Sequence, residues 1–172
     1  MPGGAETNAS GLPFEKLTDN VPHLLAQGFE KSEYYLQKDD TFFISQGNLK
    51  KFFSDKFDID LFRKPDEAYL IQGEDYYTLK IIEKKAQKQD GSVDLKLCTA
   101  KWFIEEYQEI LGPEFRVEYA FVVCDWLKER YLSETGKWPT MRTLHQRHGT
   151  RVFFGEDSDY FDKLNEWVNA SK

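Results

Sequence analysis

The chain has 172 residues and a mass of 20.2 kDa, enough for one domain with its own core and short for two. Lys and Arg total 23 against 30 Asp and Glu, a net charge of −7. That balance excludes a protein that coats nucleic acid by bulk charge, though not one with a local basic cleft. Hydrophobic residues at 40% and charged residues at 31% match a globular domain, and 14 Phe, 9 Tyr and 4 Trp promise a ring-rich core. No apolar run approaches the length of a membrane span, and the small, polar N-terminus lacks the features of a secretory signal. Cys98 and Cys124 read as buried free thiols of a reducing, cytoplasmic compartment, and the four tryptophans read as packing residues.

Residues 1–12 read as a flexible tail and 13–172 as a single domain. Pro13 to Gln37 has a helix-like pattern broken at Pro22 and Gly28. A short strand over Thr41–Ser45 follows, then a helix over Asn48–Phe57 with Leu49, Phe52, Phe53 and Phe57 on one side. Glu67–Gln72 and Tyr76–Gln87 read as two strands joined at Gly73-Glu74-Asp75, a β-hairpin. Val93–Leu111 reads as one helix ended by Gly112-Pro113. Phe115–Cys124 is a near-continuous apolar run, the signature of a strand covered on both faces. Helices over Asp125–Glu134, Pro139–His148 and Asp157–Val168, and a brief strand at Val152–Phe154, complete an α/β order that a mixed sheet with helices on both faces accommodates.

The hairpin carries the most informative chemistry. In its second strand the period of two places Ile81, Glu83, Lys85 and Gln87 on one face, so an apolar strand runs out into an acid and a base. Asp66 opens the first strand, and the hairpin brings it to the same sheet end as Glu83 and Lys85. Two carboxylates at close range repel unless a divalent cation lies between them, and Mg²⁺, with Mn²⁺ as a substitute, prefers such oxygen ligands. A lysine beside them can orient or deprotonate a water, or neutralise an attacked phosphate, which points to phosphodiester hydrolysis. The bland reading of the same residues is a surface ion pair between Glu83 and Lys85.

Pro65-Asp66, followed seventeen residues later by Glu83-Lys84-Lys85, resembles the motif of the PD-(D/E)xK nuclease superfamily. The runs Lys64 to Tyr69, Ile81 to Gln87 and Gly91 to Leu97 resemble type II restriction endonuclease-like sequences, over roughly Thr41 to Trp126 and more loosely Phe153 to Asp157. The resemblance implies a restriction-endonuclease-like αβββαβ core, with a mixed central sheet flanked by helices. It implies Asp66 and Glu83 as metal ligands, with the Ile82 or Lys84 carbonyl as an additional one, Lys85 as the catalytic lysine, and Gln87 touching the scissile strand. An acid from a first helix often joins such sites; Glu30 and Glu33 are the candidates. Lys96 would reach a phosphate. Such sequences occur in bacteria, phages and large DNA viruses, so a host-cell interior is the viral equivalent of a cytoplasmic location.

From Lys137 to Gly155 there is no Asp or Glu, and removing that segment's four positive charges from −7 leaves −11 on the rest. This basic segment is the candidate DNA-contacting surface, with Arg142, Gln146, Arg147 and Arg151 as the contacting residues. Lys50, Lys51, Lys56, Arg63 and Lys64 form a second basic group before the motif. The resulting expectation is a Mg²⁺-dependent endonuclease of double-stranded DNA, restriction-like, acting as a homodimer because two strands need two sites. The alternatives are an RNA, repair or structure-specific nuclease of the same fold, or a non-catalytic nucleic-acid-binding module.

Overall fold

The computed structural model describes residues 12–89 and 91–170. Of the expected tail, residues 1–11 lie outside them, and Leu12 opens a helical stretch over 12–17. The elements that follow are α1 (Val21–Ala26), β1 (Glu30–Lys31), β2 (Leu36–Lys38), β3 (Thr41–Ser45), α2 (Asn48–Phe57), β4 (Glu67–Gln72), β5 (Tyr77–Lys85), α3 (Val93–Leu97), α4 (Ala100–Leu111), β6 (Phe115–Val123), α5 (Asp125–Tyr131), α6 (Trp138–Arg147), β7 (Arg151–Phe154) and α7 (Tyr160–Asn169).

All seven strands join one mixed sheet in sequence order. β1 to β5 form an antiparallel meander, and β6 and β7 are parallel additions to β5. The parallel pairs require crossovers, and the intervening helices supply them. β6 therefore lies between β5 and β7 and is covered, which explains its apolar run: from Tyr119 to Val123 it is wholly buried.

The pairing register sorts the side chains into two faces. One carries Phe42, Ala68, Leu70, Leu79, Ile81, Glu83, Lys85, Tyr119 and Phe121; the other carries Phe43, Glu67, Tyr69, Lys80, Ile82, Lys84 and Glu118. Ring contacts show what covers the first face: Phe52 of α2 meets Phe42, Phe103 of α4 meets Tyr119, and His145 of α6 meets Phe121. α7 covers the second face through Trp167, whose ring packs on Phe153. There the ammonium of buried Lys80 lies 4.5 Å from the Trp167 ring centroid, donates to the Trp167 carbonyl at 2.8 Å and pairs with Glu118 at 2.6 Å. Burial lowers the Lys80 pKa, and the Glu118 partner opposes that shift.

α2 forms as its pattern predicts. Leu49, Phe52 and Phe53 are buried at helical spacing, and Asp58, in the left-handed region at φ 57°, ends the helix while the Ile59 N–H returns to the Phe53 carbonyl. Its rings continue through Phe57 to Tyr77 and Phe115, an aromatic seam with centroids 5.2–5.7 Å apart.

Three expectations are corrected. Residues 13–37 are not predominantly helical: Gly28, at φ 88°, ends α1, the Phe29 N–H closes on the Leu24 carbonyl, and the chain turns back at Ser32–Tyr35 to make β1 and β2. Pairing with the β3 edge selects the extended form, a tertiary influence that helical periodicity does not carry. The single helix over 93–111 is two: at the break the Cys98 and Thr99 N–H groups reach the Leu95 and Lys96 carbonyls, three residues back, and the Thr99 hydroxyl adds a bond to the Lys96 carbonyl at 2.6 Å. Cys98, at that break, is exposed, while Cys124 is buried.

Candidate functional site

Asp66 immediately precedes β4. Since Glu67 pairs with Ile82, Asp66 stands opposite Glu83, on the same face. Asp66 Oδ2 accepts the backbone N–H of Lys84 at 2.6 Å, and the Asp66 carbonyl accepts the Gln46 N–H at 2.7 Å. The carboxylate is thus held to β5, and the main chain to the loop that starts α2. Lys85 lies on that face one period beyond Glu83, and its Nζ meets Glu83 Oε2 at 2.7 Å with both side chains 22% exposed. The structure brings together the three residues that the hairpin argument grouped. Burial raises the Glu83 pKa; Lys85 opposes this and the Asp66 charge adds to it.

Two tyrosines that sequence reasoning missed face this cluster's surroundings. Tyr119 on β6 pairs in register with Ile81, and Tyr107 of α4 is buried with no hydrogen-bond partner for its hydroxyl. Burial raises both phenol pKa values, and Glu83 is the largest charge reinforcing that rise. The signals were present: Tyr107 follows Phe103 at helical spacing, and Tyr119 lies in period with Phe121. The loop before Asp66 is clamped to α4 by Arg63, which donates to Glu106 from Nε at 2.7 Å and Nη2 at 2.8 Å.

On the opposite face, directly behind the site, Glu67 and Lys84 form a buried pair at 2.6 Å. Asn20 Nδ2 donates to the other Glu67 oxygen at 2.7 Å, and Lys84 Nζ also donates to the Thr18 carbonyl at 2.9 Å. Sequence alternation made Glu83 and Lys85 conspicuous and hid Lys84, whose charge is spent inside the protein.

The remaining candidates are dispersed. Gln87 lies past the end of β5 and its side-chain amide donates to the Gln89 carbonyl, while its backbone N–H and carbonyl both meet the Cys124 thiol. Glu30 and Glu33 are corrected as first-helix acids: Glu30 is in edge strand β1, Glu33 is in the following turn, and both are exposed. Three pairings separate β1 from β4, about 14 Å at ordinary strand spacing. Lys96 is exposed on α3.

In the basic segment, Gln146, Arg147 and Arg151 are exposed, but Arg142 and His145 serve the fold. Arg142 Nη1 donates to the carbonyls of Tyr131 at 2.5 Å and Ser133 at 2.7 Å, and Nη2 donates to Glu134 at 2.9 Å. His145 is buried between the Leu97 carbonyl, 2.7 Å from Nε2, and the Tyr131 hydroxyl, 2.9 Å from Nδ1. A carbonyl only accepts, so Nε2 carries the proton, and in the neutral ring Nδ1 accepts from Tyr131. Burial lowers the His145 pKa accordingly. Of the second basic group, Lys51 pairs with Asp55 at 2.8 Å, and Lys56 lies over Tyr35. The Phe153–Asp157 segment is structural as well: Glu156 accepts the Asp125 N–H at the start of α5, and Asp157 pairs with Lys128.

Among the described residues no three or more His, Cys, Asp and Glu side chains converge on one point. The donor set is two carboxylates, all oxygen, one of them made costly to ionise by burial and by its neighbour. That fits Mg²⁺, which is commonly held by one or two carboxylates with waters and substrate oxygens filling its remaining positions. No helix of the described residues is long and apolar enough to cross a membrane. No family model matches the chain, and neither the curated proteins nor the solved structures yield a match to it.

Proposed function

We propose that this protein is a Mg²⁺-dependent endonuclease that hydrolyses phosphodiester bonds of double-stranded DNA, in the manner of a type II restriction endonuclease. The observation that carries the reading is the juxtaposition of Asp66 and Glu83 across one strand pair, with Lys85 on the same face and in contact with Glu83. The order of elements supports it: the antiparallel β3–β4–β5 unit, then α4, then β6 parallel to β5 and β7 beyond, accommodates the αβββαβ core that the motif implies.

Asp66 and Glu83 would hold the cation, which when bound lowers the pKa of a ligated water and polarises the phosphate. The Lys84 N–H orients the Asp66 carboxylate for that role. Lys85 supplies positive charge where negative charge develops on the attacked phosphate. Its Glu83 contact presets the position of the ammonium. The protein acts as a homodimer in this reading, each copy cutting one strand.

The test is incubation of the purified chain with plasmid DNA and Mg²⁺, followed by mapping of the fragments. Cleavage into a fixed fragment set that is abolished in Asp66→Ala and Lys85→Ala is the expected result. Activity that survives either substitution removes the assignment, and digestion without a fixed pattern removes sequence specificity.

A further inference from the structure

A cleft of about 490 Å³ opens where α3, the start of α4 and α6 meet. Local features build it. The break between α3 and α4 leaves Cys98 exposed in its lining. At the end of α6, Gly149 takes the left-handed conformation at φ 69°, and the Thr150 N–H returns to the His145 carbonyl at 2.9 Å, which ends the helix and brings Thr150 into the lining. Asp94 pairs with Lys137 and ties α3 to the start of α6. Leu95, at 66% exposure, and Leu144, at 41%, are large apolar side chains that the core does not cover, and both line this cleft beside buried Ala100 and Met141.

Two observations mark the cleft as a ligand site rather than a surface depression. Its volume, with apolar walls and few polar groups, is that of a small-molecule pocket. Thr150 is only 6% exposed, and its hydroxyl has no hydrogen-bond partner among the described residues. That hydroxyl is not one of the unpartnered ones sealed from solvent, which are those of Thr41, Tyr69, Tyr107 and Tyr160. The surface Thr150 keeps therefore faces the cleft, and a buried hydroxyl takes its partner from whatever fills the space. The lining's charges favour an anion. Asp94 is its one carboxylate and is occupied by Lys137, while Lys101 is a second ammonium with no ion pair among the described residues. Glu105, the nearest acid along α4, lies outside the lining and pairs with neither lysine. His145 and His148 add no negative charge. One acid thus stands against two ammonium groups.

We propose that this cleft binds a small amphipathic carboxylate: its apolar body lies on Leu95, Met141 and Leu144, Lys101 supplies the counter-charge, and the Thr150 hydroxyl supplies the hydrogen bond that the floor leaves unmade. A neutral molecule with the same body forgoes the attraction of Lys101, and one with an ammonium head is repelled by it. Asp66, Glu83 and Lys85 do not line the cleft, so the inference stands apart from the nuclease reading. Cys98 lines it, so its thiol reports occupancy.

The full chain is titrated calorimetrically with decanoate, decanol and decylammonium, each below its aggregation threshold. In parallel, alkylation of Cys98 by neutral iodoacetamide is followed by peptide mass; Cys124 is buried and serves as the internal control. Expected are decanoate binding, slowing of Cys98 alkylation by about fivefold or more at saturation, and affinities for decanol and decylammonium about tenfold weaker. Lys101→Met lowers decanoate affinity about tenfold and leaves decanol affinity unchanged, and Thr150→Val lowers decanoate affinity about fivefold. Leu144→Ser weakens decanoate and decanol alike. Lys101 and Leu144 are exposed, so an unchanged circular dichroism spectrum and urea midpoint show that their variants fold, and they carry the test if Thr150→Val does not. Absence of decanoate binding, binding that leaves Cys98 alkylation unchanged, equal affinity for the three head groups, or wild-type decanoate affinity in Lys101→Met overturns the proposal. Self-association that Leu144→Ser abolishes, without decanoate binding, gives the cleft to a second copy of the chain and overturns it as well.

Discussion

Replacing Lys84 by methionine removes the cationic half of an ion pair sealed behind the candidate site. The two side chains are only 7% and 5% exposed, and the 2.6 Å contact between them is supplemented by Asn20 on Glu67 and by the Thr18 carbonyl on Lys84. In Lys84→Met the Glu67 carboxylate keeps one donor, Asn20, in a space where burial already raises its pKa against the pull of Lys84. Removing one partner of a buried pair costs about 3–5 kcal/mol, because the other charge is stranded. For a domain of this size that is a fall in Tm of roughly 6–20 °C.

The sign with pH follows from Glu67. An acid whose folded pKa exceeds its unfolded value binds more protons when folded, so stability falls as pH rises between the two values. The loss in Lys84→Met is therefore largest at neutral pH and shrinks as pH is lowered toward 5. Urea unfolding of Lys84→Met, Glu67→Gln and the double variant measures this, with the double variant less destabilised than the sum of the singles by more than about 1 kcal/mol. A Lys84→Met protein within about 0.5 kcal/mol of wild type at pH 7, or strict additivity, refutes the reasoning.

His145→Gln keeps the acceptor for Tyr131 and the donor for Leu97 but loses the titration. The lowered pKa of His145 makes the wild type lose stability below about pH 6.5, by up to about 1.4 kcal/mol per pH unit. The gap between wild type and variant therefore narrows from pH 7 to pH 5 in parallel urea titrations; a constant gap refutes the assignment of a neutral ring. Arg142→Ala frees the Tyr131 and Ser133 carbonyls at the end of α5 and costs about 1–3 kcal/mol in the same assay; an effect near zero shows that water replaces the guanidinium there. Tyr107→Phe deletes a buried hydroxyl without a partner, so its thermal midpoint equals or exceeds that of wild type by the equivalent of about 1 kcal/mol at most. A clear fall in that midpoint means the hydroxyl is bonded in solution.

Local pattern carried the strands β3 and β4, helix α2 and the joined hairpin, because side-chain periods of 2 and about 3.6 are properties of the chain itself. The same alternation placed Glu83 and Lys85 on one face, and the hairpin put Asp66 at their sheet end; that Asp66 shares their face came from the strand register. Those positions were legible because they need only one strand pair. β1 and β2 were not legible: their residues gain extended form from the β3 edge, a partner outside the local window. Nor did composition reveal which charges are spent. Lys84 is consumed by Glu67, Arg142 by the end of α5, Arg63 by Glu106, and His145 by two neutral partners, all contacts between residues distant in sequence or element. Trp102 and Cys98 likewise read as interior residues but are exposed, because whether a helical residue meets the core depends on where the packed helix faces and ends. The chain by itself determined the periodic elements and the grouping of the hairpin's charges. Only tertiary structure decided which charges and rings remain available to a ligand, since that depends on long-range packing.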